Sequence, residues 1–367
     1  MNLMTLVRLL VVVVLGWTVV ALGVGVFGVG TNESTGATFY VPNPSLVDTF
    51  TLGRLDHPSS VQHRLIDRVT GRVEPLSLPQ DKAWSLLSVS PWRDRHGFSM
   101  AVGRWISRLE GQEEFCGLGL LKLPGGTLEN CLSLEVLPTG KPCWVPGQTD
   151  EILFPAGDGQ LYRCNIAGNA KDDGNDGSHG TSRGDGGNLV APRVVTWGTK
   201  RPGSGDVFLC DPAWSAEPAL RNFIFVSLSE QKYLGTARMN SAFKLWSLLM
   251  NDAGDTIVAA ERLTRPDSDK DTNDSLSERM PTIVVGSGGQ ISLVYLAREP
   301  RAQSWQLRMV KLQTDHDQSL PKIGPGSTNS SVVADGMAAF ALVVSADAKL
   351  VHGIDISGAH REVAIAR

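Results

Sequence analysis

The densest array of oxygen-bearing side chains lies in RPDSDKDTNDSLSE. Asp267, Asp269, Asp271, Asn273, Ser275 and Glu278 fall at positions one, three, five, seven, nine and twelve of a calcium-loop frame. Oxygen ligands at that spacing can wrap a hard cation. Thr272 stands where such a loop turns on glycine, and no flanking helical pattern is present. The stretch therefore reads as an acidic, solvated loop, and no metal is assigned to it.

Other chemistry-bearing residues are scattered. His57, His63, His96, His179, His316, His352 and His360 show no ligand spacing. HExxH, Walker A and sialidase-type Asp boxes are all missing. Cys116, Cys131, Cys143, Cys164 and Cys210 form no CxxC pair and read as buried free thiols. A hairpin turning at Gly125-Gly126 would set Cys131 opposite Leu120 and Cys116 opposite Glu135, which argues against a disulfide between them. Trp84, Trp92, Trp105, Trp144, Trp197, Trp214, Trp246 and Trp305 recur along the chain and suit packing between repeated units. Pro212, Trp214 and Pro218 in CDPAWSAEPAL suit the same packing or an exposed recognition loop. No catalytic, cofactor-binding or metal-binding residue is assigned, and the balance leans away from an enzyme.

Composition narrows the class. A net charge of -4 over 367 residues gives no basic excess, so no nucleic-acid partner is expected. Leu9 to Val29 is 21 residues without a charge, long enough as a helix to cross a bilayer core of about 30 Å. Residues 1–30 are read as a membrane anchor, with a cleaved signal peptide as the alternative. Arg8 on the short N-terminal side orients the remainder outside the cytoplasm. Gly23 to Gly28 matches GxGxxG, but the lipid-length run explains it better.

Residues 31–45 form a polar tether, and 46–367 read as one all-β body. Its best unit is DEILFPAGDGQLYRCNI, with Ile152 to Phe154 and Leu161-Tyr162 flanking a Gly157-Asp158-Gly159 turn. Polar insertions interrupt it at 168–188, with no apolar residue beyond Ala170, and at 265–277, and are expected to be disordered. Turn centres near 71, 111, 158, 205, 253, 288 and 347 are spaced 40, 47, 47, 48, 35 and 59 residues apart. A four-stranded propeller blade has about 40–50 residues. The spacing predicts a β-propeller of seven blades, with six or eight also compatible.

GDGQLYRCNI, KLWSLLMNDAGDTIVAAERLT, ERMPTIVVGSGGQISLVYLARE and AFALVVSADAKLVHGIDI resemble the WD40-like repeats of bacterial extracytoplasmic, TolB-type propellers. The resemblance covers most of 60–357 and implies the fold, but it transfers no functional residue. The expected function is a membrane-anchored scaffold that docks a protein or small ligand on one propeller face. The alternative is a propeller enzyme (hydrolase, lyase or quinone-dependent dehydrogenase) with its site at one end of the central channel. A cluster of Asp, His and Arg there would favour the enzyme, and a bland mouth the scaffold.

Overall fold

A computed structural model describes residues 37–40 and most of residues 63–365. The predicted anchor Leu9–Val29 lies outside the described residues, as do segments 167–187, 230–242 and 265–275. Among the described residues no helix is long and apolar enough to cross a membrane.

In chain order the strands are β1 (Ala37–Tyr40), β2 (His63–Asp67), β3 (Val73–Leu76), β4 (Ala83–Arg93), β5 (Ser99–Ser107), β6 (Phe115–Leu123) and β7 (Thr127–Ser133). Then come β8 (Cys143–Trp144), β9 (Glu151–Pro155), β10 (Leu161–Asn165), β11 (Asn188–Leu189), β12 (Arg193–Val194) and β13 (Thr196–Trp197). The second half holds β14 (Phe208–Trp214), β15 (Phe223–Ser229), β16 (Lys244–Met250), β17 (Thr256–Arg262), β18 (Ser277–Val285) and β19 (Ile291–Arg298). Last are β20 (Trp305–Gln313), β21 (Lys322–Ile323), β22 (Ser331–Met337), β23 (Val343–Val344), β24 (Leu350–Ile354) and β25 (His360–Ala364).

The fold is an all-β propeller with five blades, not seven. Five sheets begin on β4, β8, β14, β18 and β23, and residues on or beside these first strands line one central cavity. The sheet β1-β2-β3 contributes none of the described lining residues. It is wedged at the closure, with Ile66 in a core shared with Val344, Val351 and Val363, and Leu65 in another with Leu121 and Leu123. The turn count misled because the turns are not equivalent. Residues 111 and 158 lie between the second and third strands of their blades, 253 between the third and fourth, and 288 between the first and second.

Cores form between blades, not within them. Leu153 and Leu161 pack with Leu209, Ile224 and Leu248 of the next blade, and Phe225 and Leu245 pack with Leu293 and Tyr295 of the one after. A sheet covered on both faces loses its polar alternation, and β15 is buried at all seven positions. This explains why the apolar runs were continuous. Trp144 shows the wedge role expected of the tryptophans: it is 5% exposed, and its indole N–H donates to the Ser88 carbonyl of the preceding blade at 3.2 Å. Trp305 is likewise buried, under the Arg298 guanidinium at 4.6 Å.

The 159 turn has the expected chemistry. Gly159 has φ of 77°, its N–H donates to the Ala156 carbonyl, and Asp158 accepts from the Gln160 N–H at 3.0 Å. Cys143, Cys164 and Cys210 are buried free thiols. Cys131 pairs with Gly119, one residue from the expected Leu120, because a bulge intervenes between Leu120 and Leu121.

Segment 188–197 runs along the outside. β11 adds in parallel to β7, β12 antiparallel to β10, and β13 in parallel to β17. Ten residues thus stitch the outer edges of three successive blades, anchored by Val195, which is buried and donates its N–H to the Leu161 carbonyl at 2.8 Å. Asn188, read from sequence as the end of a disordered insertion, is the first residue of this belt.

One inter-blade contact demands glycine. Gly254 has φ of 67°, and a Cβ there would meet Arg163 Nη1 at 2.9 Å and Trp214 at 3.1 Å. Arg163 reaches across the interface to the Ala253 carbonyl at 2.5 Å. Gly254→Ala should therefore lower stability by about 1–3 kcal/mol, read as a lower urea midpoint at unchanged m-value.

Candidate active site

The first strand of each blade is an edge strand with one paired neighbour. Proline is tolerated there because the missing N–H would face the channel, not a ladder partner. Pro91, Pro142, Pro212 and Pro281 lie on or beside four of these strands, at intervals of 51, 70 and 69 residues. Three accompany bulges: the register shifts between Val89 and Arg93, between Cys210 and Ala213, and between Arg279 and Thr282. The Pro91-Trp92 step, read from sequence as a strand break, lies inside β4. In CDPAWSAEPAL, Asp211 to Ser215 are channel wall, while Pro218 and Ala219 are exposed.

The bulges enclose a cavity of about 300 Å³, at the small end of ligand sites. Asp211 and Met280 line it with φ of 52° and 55°, left-handed backbone that residues other than glycine seldom adopt. The Asp211 side chain accounts for the distortion. Arg279 Nε donates to its Oδ2 at 2.5 Å, Arg279 Nη2 donates to Oδ1 at 3.3 Å, and the Met280 N–H donates to Oδ2 at 3.2 Å. Both partners are at most 5% exposed. The Arg279 guanidinium also lies over the Phe243 ring at 4.8 Å.

Lys141 completes the charged set. The residue is part-exposed, yet its amine is desolvated on the cavity wall. Burial holds its pKa below the ordinary 10.5, with the Asp211 carboxylate pulling the other way. Ser88 and Ser90 add hydroxyls from β4. Burial pushes the Cys143 thiol up to about 12 and raises Cys210 as well, so neither is a ready thiolate nucleophile. A cavity walled by one amine, one carboxylate and the hydroxyls of Ser88, Ser90, Ser215 and Thr282, with Arg279 behind the carboxylate, is chemically equipped rather than bland.

Of the six calcium-frame residues, Glu278 is the one described. That residue is buried in β18, and its Oε2 accepts from the Leu245 N–H at 3.1 Å and from the Thr264 hydroxyl. Burial raises its pKa. Asp267, Asp269, Asp271, Asn273 and Ser275 lie outside the described residues. Sequence reading missed Lys141, Asp211 and Arg279. The available signal was the recurring proline, with Lys141-Pro142 and Asp211-Pro212 at like positions of two channel strands.

No family model matches the chain, and no curated protein matches it in sequence. Solved structures similar to it include a Bacteroides fragilis protein assigned as a 6-phosphogluconolactonase, at 11% identity and a TM-score of 0.42, covering 90% of this chain and 94% of that one. They include a Penicillium chrysogenum α-L-arabinanase, at 12% identity and 0.42, covering 79% and 84%. A Clostridium thermocellum exo-β-1,3-galactanase is similar at 10% identity and 0.40, covering 82% and 73%. The TolB-type resemblance accordingly holds only for the propeller class. The expectation of a non-enzymatic scaffold rested on a bland channel mouth and is corrected: Lys141 and Asp211 converge on the cavity wall. Scores of this size carry no argument about substrate.

Removing one member of a buried ion pair leaves the other uncompensated, at a cost of about 3–5 kcal/mol. Arg279→Met should lose about that much stability in chemical denaturation. Arg279→Lys should recover only part of it, since an ammonium cannot reproduce the two-pronged contact.

Proposed function

We propose that the chain is a propeller hydrolase that opens an ester or lactone bond of a small polar substrate in the channel. Lys141 acts as the base that takes a proton from the attacking water. The observation that carries this reading is the desolvated Lys141 amine, with its lowered pKa, facing a cavity of suitable size. Its free-base form is more populated near neutrality than that of a surface lysine. Asp211 and Arg279 hold the bulged wall in place.

The glycosidase reading finds less support. Glycoside hydrolysis ordinarily needs two carboxyl groups flanking the scissile bond. Asp211 is the one acidic residue among the described lining residues, and it is committed to Arg279 and the Met280 N–H. The enzyme is proposed to work outside the cytoplasm, tethered through Leu9–Val29.

Purified protein should hydrolyse members of a panel of sugar lactones and small carboxylic esters. The rate should rise with pH through the lowered Lys141 pKa and then level off, because the base form accumulates above it. Lys141→Met and Lys141→Arg should each reduce kcat/KM by about 10²–10⁴-fold. A guanidinium cannot supply a free base in this range. Full activity in Lys141→Arg would overturn the assignment.

A further inference from the structure

Two histidines that look isolated in sequence meet in the last blade. In the antiparallel β24–β25 pair His352 stands directly opposite Glu362, and His360 is two residues from Glu362 on the same strand. Side chains repeat every second residue along a strand, so all three share one sheet face. His352 Nδ1 lies 3.2 Å from His360 Nε2 and 3.7 Å from Glu362 Oε1. The three ligand atoms fall within 4.8 Å of one another.

We propose that His352, His360 and Glu362 form a zinc-type divalent metal site. Tetrahedral zinc with bonds of about 2.0–2.1 Å keeps its ligand atoms about 3.3 Å apart, close to the two spacings found. Two imidazoles and a carboxylate suit a borderline metal better than calcium or magnesium, which prefer all-oxygen shells. A hydrogen bond between the two rings satisfies one pair of atoms. It leaves the Glu362 carboxylate converging on the same nitrogen, and a cation at the meeting point satisfies all three. His352 is buried at 1% exposure, while the Glu362 side chain is 48% exposed, so the site opens to solvent and leaves a coordination position for water. The site lies on the second and third strands of its blade, not on the channel strand β23, and the proposal does not depend on Lys141 chemistry.

The test uses the full chain without a polyhistidine tag, stripped with chelator and then titrated with Zn²⁺ alone. One equivalent should remain after gel filtration by elemental analysis, and the melting temperature should rise. Co²⁺ in place of Zn²⁺ should give visible absorption of a four- or five-coordinate site. His360→Ala should abolish retention, and Glu362→Gln should weaken binding at least tenfold. Both positions are at least partly exposed, so the variants should stay folded. Failure of the parent protein to retain zinc, or retention unchanged in both variants, would overturn the site and leave an imidazole hydrogen bond.

Discussion

The channel wall depends on one buried ion pair. Asp211 and Arg279 come from the first strands of neighbouring blades and meet where water cannot screen them. Desolvating two charges is expensive, and a buried pair survives only when its remaining polar atoms are also satisfied. Here the Met280 N–H supplies a further donor to the carboxylate, and Phe243 presents its ring face to the guanidinium. The left-handed conformations of Asp211 and Met280 are the geometric cost of bringing these groups together. Strain of that kind persists only where the surroundings over-determine it. It occurs on the cavity wall, beside the desolvated lysine.

Much of the architecture can be read from the residues. Continuous runs such as Phe223 to Leu228 and Ile291 to Leu296 are strands buried on both faces, and Gly159 and Gly254 mark turns that need left-handed backbone. The number of blades could not be read from turns alone. A turn advertises itself through Gly, Asp and Asn whichever two strands it joins, so equal spacing need not mean equivalent place. The prolines of the channel strands are the better ruler, since edge geometry admits them at one level of the ring. Their intervals of 51, 70 and 69 residues imply fewer, larger units than the turns did.

The sites were harder to see, for two reasons. Proline beside tryptophan suggests the end of a strand, because the ring removes a ladder donor. On an unpaired edge that donor is not needed, so the strand continues and Asp211 is carried into the wall. His352, His360 and Glu362 depend instead on pairing register. The distance between them along the chain has no ligand signature, and the cross-strand partnership exists only once β24 and β25 align.

The outer segment at 188–197 has a mechanical consequence. Because it adds a strand to three blades in turn, it works as a hoop under tension, loaded whenever neighbouring sheets try to splay. Opening any one of those interfaces must peel the hoop from at least one rim, which couples three otherwise separable modules into one cooperative sector. The last two blades, beyond the hoop, are tied by shorter contacts, among them the Ile356 N–H donating to the Gly336 carbonyl at 3.1 Å.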